Sequence, residues 1–298
     1  MRSLSCFATI VTGISLTGIT LIFGSLFPHS ASAETTKPLL NPNDRVAIVG
    51  GTLVERMQSN GQVEGQLQSR RPDWKLTVRN LGWSGDDVHG YARKRFDSPR
   101  EGYSRLMADI QVADPTVVLL AYGFAEASDG ERAIGRFADG LKRLISDIQQ
   151  TNRRVILMTP FPLPGFKTEN YQESIAQARE IVQTVGKETD SAVISFAWEP
   201  SGTEVTADGL VPNEKGYERL ANELADALVG GQPHPVQDEL SQQIVRKNEL
   251  FFHRYRPQNE TYLLLFRKHE QGNNAVEIGE FPPLIEAADK KIWASAAQ

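Results

Sequence analysis

The sequence predicts a three-layer α/β/α domain built on a five-stranded parallel sheet, and three observations point to it. Five short runs rich in Val, Ile and Leu recur along the chain, the segments between them repeat their apolar residues at helical spacing, and four of the runs end in Gly or Pro. Parallel strands need a crossover between neighbours and are buried on both faces, so they read as continuous apolar runs separated by helices.

The first run, residues 45–49, breaks at Gly50-Gly51 onto Thr52 and then turns helical over 53–70. Residues 76–81 form the second strand, followed by a loop with two glycines and two acids, Gly82-Trp83-Ser84-Gly85-Asp86-Asp87. Pro115 introduces the third strand, 116–121, which ends in Tyr122-Gly123-Phe124. The clearest helix follows, with Ile134, Phe137, Leu141, Leu144, Ile145 and Ile148 on one face. Residues 154–159 are the fourth strand, closed by Pro160, Pro162 and Pro164; Tyr171, Ile175, Ala178, Val182 and Val185 mark the next helix, and 192–197 is the fifth strand. A last helix carries Tyr217, Leu220, Ala221, Leu224 and Leu228 and stops at Gly230-Gly231. Residues 44–230 are therefore expected to be a flavodoxin-like domain, with its cleft at the carboxyl ends of the strands.

Outside this domain the chain changes character. Arg2 precedes an uncharged apolar segment, 7–27, and Ser30-Ala31-Ser32-Ala33 follows, so residues 1–33 read as an export signal cleaved after Ala33 and the protein as periplasmic or extracellular. At about 20 residues the apolar segment also has the length to cross a bilayer if it is retained. The sole cysteine, Cys6, lies inside it, which leaves the mature chain without a disulfide or a thiol nucleophile. Residues 34–43 are a linker. Residues 231–298 mix aromatics with dense charge, as in Phe251-Phe252-His253-Arg254-Tyr255-Arg256 and Phe266-Arg267-Lys268-His269. Such a segment is too small to hold its own core, so it is expected to pack on the main domain or a partner.

A net charge of −5 argues against a nucleic-acid surface, which carries a basic excess. No close pair of His, Asp or Glu offers a metal site in the core, and no cofactor is expected.

From residue 45 to 228 the order and spacing of four loops resemble the SGNH hydrolases, the GDSL family of ester hydrolases, here a divergent secreted bacterial member. Gly50-Gly51-Thr52 stands where that family has Gly-Asp-Ser, which implies that Thr52 occupies the nucleophile's position. Asn80-Leu81-Gly82-Trp83-Ser84-Gly85 matches the second block and implies Gly82 as an oxyanion N–H donor. Gly123-Phe124-Ala125-Glu126 stands for the third block, with Gly123 and Glu126 as binding candidates but alanine in place of the family's asparagine. Asp208 matches the last block, Asp-x-x-His, and Val211 replaces its histidine. Valine cannot accept a proton, and loss of a triad base commonly costs about 10⁴ to 10⁶ in rate.

Each position also fits a plainer role. Thr52 suits a helix cap, Asp208 a turn or an ion pair, Gly82 and Gly123 tight turns, and Glu126 a solvated or capping acid. His89, His253 and His269 are the candidates for a replacement base. The tail is expected either to bring Arg254, Arg256, Arg267 or His269 to the cleft or to clasp the domain surface. The resemblance implies hydrolysis of acyl or acetyl esters, including those of carbohydrates, through a degenerate site. The alternative is a non-catalytic module holding a glycan or envelope partner in the same cleft. The expected ligand is small and acylated or carbohydrate, with no nucleic acid, and with membrane contact only through a retained N-terminal segment.

Overall fold

A computed structural model describes residues 37–298 except 167–169, 197–205, 207, 259, 264–265, 268 and 271–273. The proposed export signal lies outside the described residues. Thr36–Gln298 is one compact unit.

Five strands, β1 (Arg45–Gly50), β2 (Thr77–Asn80), β3 (Val117–Ala121), β4 (Arg154–Met158) and β5 (Ala192–Ile194), form an all-parallel sheet in the order β2-β1-β3-β4-β5. Successive side chains point to opposite faces, and this alternation divides the core in two. Ala47, Val49, Val118 and Leu120 pack on one side against α3 (Pro99–Ala113), α5 (Glu131–Gln149) and α6 (Tyr171–Glu188). Val46, Ile48, Val117 and Leu119 pack on the other against α1 (Thr52–Met57), α2 (Gln62–Arg70) and α7 (Glu214–Leu228). A short helix, α4 (Phe124–Ser128), follows β3.

Two helices differ from expectation. The helix expected over 53–70 is interrupted at Asn60-Gly61, where the Asn60 side chain accepts from the Gln62 N–H at 3.3 Å. A Cβ on Gly61 would lie 2.7 Å from Ser241 Cα, so the glycine also admits the C-terminal segment. Helix α3 was not expected. Its signal is local: Ser98 caps it by accepting from the Glu101 N–H, Pro99 opens it, and Asp114 closes it in the left-handed region. Of the fifth strand's expected extent, Ala197 lies outside the described residues.

The tail is joined to the domain along the sheet's free edge. Helix α8 (Asp238–Tyr255) lies along β2, and after two short turns, α9 (Glu260–Leu263) and α10 (Asn274–Glu277), α11 (Phe281–Ala296) packs on α8. An edge strand leaves a row of unpaired carbonyls. Here side chains of the tail cap that row: Trp293 Nε1 donates to Leu76 O at 2.7 Å, Lys247 Nζ to Val78 O at 2.8 Å, and Tyr255 OH to Gly82 O at 3.0 Å. Arg79 of β2 forms a two-pronged ion pair with Asp289 of α11, at 3.0 and 2.5 Å. No helix among the described residues is long and apolar enough to cross a membrane.

Candidate active site

The cleft opens where β1 gives way to α1. Gly50 has no room for a side chain, since a Cβ would meet Ala121 O at 2.6 Å and Val54 Cγ2 at 2.7 Å. Gly51 holds the cap position of α1 without a side-chain bond, so Thr52 begins the helix and does not cap it. Its hydroxyl instead reaches across the cleft, where Oγ1 accepts the Gly85 N–H at 3.0 Å.

That contact corrects the second loop. Gly82 was expected to aim its N–H at a developing oxyanion. The structure engages that N–H with Asn80 Oδ1 at 2.9 Å, and a Cβ on Gly82 would stand 2.1 Å from Glu55 N. Gly82 is therefore the close-packing point between the end of β2 and α1, and Asn80 locks it by donating to Val54 O at 2.7 Å. Gly85, three residues later and at φ +70°, supplies the N–H that faces Thr52. The next residue, Asp86, is buried and anchors the loop beneath the cleft. Its Oδ2 accepts from Arg93 Nε at 2.7 Å and from Tyr122 OH at 3.0 Å, while Arg93, fully buried, also reaches Asp109 and Leu81 O.

In the third loop Gly123 adopts φ +105° and gives its N–H to Glu126 Oε2 at 2.8 Å, and Val88 gives its N–H to Glu126 Oε1 at 3.0 Å. Glu126 is thus neither solvated nor a wall of the cleft. It is a buried staple between the second and third loops, 3% exposed. Burial pushes its carboxyl up to about 7, against the pull of the N–H groups that favour the anion. A carboxyl whose folded pKa exceeds its unfolded value keeps its proton longer in the folded state. Stability from this group is therefore full below about 4.5 and is lost as pH rises through about 7. Glu126→Gln is expected to cost about 1–3 kcal/mol, because one amide face presents N–H to N–H. It is also expected to flatten this part of the stability profile, as read by denaturant unfolding between pH 4.5 and 7.5.

The fourth loop places Asp208 at the surface. Its Oδ1 accepts from the Leu210 N–H at 2.8 Å and the Val211 N–H at 3.2 Å, and these bonds hold the carboxyl below its ordinary range. Asp208 is thus a turn residue with Arg56 in electrostatic range, and Val211 stands half-buried after it. Asn213 caps α7 by accepting the Gly216 N–H, and Tyr217 OH donates to Leu53 O at 2.9 Å, fixing this loop to the start of α1.

Thr52, Leu53 and Gly85 share a cavity of about 210 Å³ with Phe124, Ala125, Leu163, Phe166 and Leu210, so its walls are mainly apolar. Ala125, in the place of the family's asparagine, does face it. Gly82, Gly123, Glu126 and Asp208 do not line it, and neither does any of the three candidate histidines. His89 lies against α5, where a Cβ on Gly140 would be 2.7 Å from its Cε1. His253 is exposed, edge-on to Phe252, and His269 is exposed with Nε2 4.0 Å from Glu270 Oε1. Among the described residues no basic side chain lines the cleft; Asp86, the one ionisable group there besides the Tyr122 phenol, is held by Arg93. Sequence reasoning missed Gly85, Leu163 and Phe166. Gly85 could have been found from its place beside the acids of its loop, whereas Leu163 and Phe166 reach the cleft from a proline-rich turn with no periodic signal.

The family model of the GDSL-like lipase/acylhydrolases matches residues 49–219, more than half of the chain. The chain belongs to that family. This GDSL-family chain has the sheet and flanking helices of solved esterases. A catalytic mutant of Axe2, an acetylxylan esterase from Geobacillus stearothermophilus, superposes with a TM-score of 0.52 at 17% identity, over 66% of this chain and 99% of that one. LAE5, an alpha/beta hydrolase enzyme from the metagenome of Lake Arreo, Spain, gives 0.51 at 16% identity, over 64% and 97%. The catalytic mutants of Axe2 replace a serine, an aspartate and a histidine by alanine. No curated protein matches the sequence. The GDSL-family domain ends before α8, so the edge-capping tail lies outside the matched region.

Proposed function

We propose that this GDSL-family protein uses the cleft at Thr52 to hold a short acyl group, free or in ester linkage, with turnover largely lost. One observation carries the reading: Thr52 keeps the nucleophile's place against the Gly85 N–H, while the base position is Val211 and the Asp208 oxygen is spent on backbone N–H groups. Acyl transfer needs a base within hydrogen-bond reach of the nucleophile and several donors where negative charge develops. Here the Gly85 N–H is given to the Thr52 hydroxyl, and the Ala125 side chain offers no donor. The apolar walls, Leu53, Phe124, Leu163 and Phe166, favour an aliphatic chain over a bare sugar ring.

Butyramide, which cannot be hydrolysed at a useful rate, is the direct probe. Titration into labelled protein is expected to move the methyl resonances of Ala125, Leu163 and Leu210 together, saturably, and Ala125→Phe is expected to abolish the shifts by filling the cavity. Shifts confined to surface methyls would overturn the reading.

The second reading is slow hydrolysis of acyl or acetyl esters through Thr52, and the N–H already bonded to its hydroxyl favours it. The structural neighbours extend that reading to acetylated carbohydrates. The export signal read in residues 1–33 would put either activity on acyl-bearing molecules outside the cytoplasm, and N-terminal sequencing of the exported protein tests cleavage after Ala33.

A further inference from the structure

We infer that the C-terminal tail is a working part of the cleft: Arg256, acting through Glu55 and Trp83, positions the Gly85 N–H against Thr52. The inference rests on the reading of Thr52 and Gly85 as the ligand site. Helix α8 ends at the second loop and grips it residue by residue. Tyr255 OH donates to Gly82 O at 3.0 Å. The Arg256 guanidinium lies 3.7 Å above the Trp83 ring, and its Nη1 donates to Glu55 Oε1 at 2.6 Å. The other oxygen of Glu55 accepts from the Ser84 hydroxyl. Gly82, Trp83 and Ser84 are thus each held by the tail or by the carboxylate the tail holds, and the next residue is the one that touches Thr52. Glu55 itself lies three residues after Thr52 on α1, so one carboxylate ties the helix bearing the hydroxyl to the loop bearing the N–H.

The chemistry suits positioning. The Arg256–Glu55 pair is mostly shielded, with side chains 27% and 12% exposed, and the planar guanidinium satisfies the ring face and the carboxylate at once. Lysine could keep the charge pair but not the stacked plane. The tail's other bonds fall away from the loop: Lys247, Trp293 and Asp289 brace β2 and its approach, Lys247 also reaches Glu64 of α2, and Asn248 donates to Gln58 O after α1. A tail that served the fold alone would need those contacts and not the grip on residues 82–84.

The test uses the full-length protein labelled with nitrogen-15. In Arg256→Ala the Gly85 amide is expected to shift and to exchange with solvent at least threefold faster, while β1 and β3 amides keep their rates. Arg256→Lys is expected to restore part of the protection. Asp289→Asn, which loosens the same tail away from the loop, is expected to leave Gly85 unmoved; Arg256→Gln replaces the alanine variant if that fails to fold. An unchanged Gly85 in Arg256→Ala, or acceleration matched by the β3 amides or by Asp289→Asn, would overturn the inference. A wild type that does not bind butyramide would remove the site reading instead, so the two failures are distinct.

Discussion

Thr52→Ser, Ala125→Asn and Val211→His combined in one chain are expected to raise kcat/KM for p-nitrophenyl butyrate by on the order of 10²–10⁴ over wild type. The chain keeps the order and spacing of the loops from which the family builds its triad. Val211 follows Asp208 by the family's three-residue step, and the Asp208 carboxylate is fixed beside it, since its Oδ1 accepts the Leu210 and Val211 N–H groups. Tyr217 and Asn213 fix the loop against α1 and α7, so a side chain introduced at 211 is held in a defined place. Ala125 lines the cavity, and asparagine in its place adds a second donor beside the Gly85 N–H. General-base catalysis is worth about 10²–10⁴ when well placed, and effects of groups that act together are not additive, so that range is set for the combination. Val211→His alone should recover the larger share. No gain in the triple variant would mean that the fourth loop does not present position 211 to the cleft.

Lys247→Ala is expected to destabilise the protein by about 3–5 kcal/mol, the cost of leaving a buried carboxylate without its cation. Lys247 is fully buried in α8, with Nζ 2.6 Å from Glu64 Oε2, 2.8 Å from Val78 O and 2.8 Å from Asn248 Oδ1. Burial raises the Glu64 carboxyl and lowers the Lys247 ammonium from their ordinary values, and their mutual attraction opposes both changes. Removing the lysine strands Glu64 and uncaps an edge carbonyl in one step. A fall in Tm of roughly 10 °C is expected by calorimetry. Glu64→Leu added to Lys247→Met should recover most of the loss, because a buried ion pair replaced by apolar groups of similar volume is often neutral. If Lys247→Ala unfolded with wild-type stability, the tail would not be integral to the domain.

The parallel sheet was legible because each strand is an apolar run, and alternate residues of those runs do face the two halves of the core. The helix-bearing segments were legible wherever a full apolar stripe was present, as in α5. Helix α3 escaped because its stripe is sparse, Tyr103, Leu106 and Ile110, and its evidence sits in the Ser98-Pro99 cap. The place of the site was legible from the glycine-bearing strand ends, but the assignment of donors was not. Gly82 and Gly85 are equally plausible N–H donors in a linear sequence. Only the packing of Gly82 on Glu55 and the use of its N–H by Asn80 separate them. Glu126 read as a solvated or capping acid, and it does cap α4 by accepting the Gly123 N–H, but its burial was hidden because it depends on two loops, near Val88 and Gly123, that meet only in the fold. That the tail packs on the domain was legible from its aromatics and charge, but the partners of Lys247 and Arg256 were not, since both are ordinary cations until β2 and Trp83 are placed beside them.

The most direct test of a nucleophile's position without a base is the hydrolysis of p-nitrophenyl butyrate by wild type and by Thr52→Ala, measured side by side at pH 7 to 9. Rates within about threefold of each other are expected, since removing a hydroxyl that nothing deprotonates removes little catalysis. A loss of about tenfold or more in Thr52→Ala would contradict this and show that a working base serves Thr52.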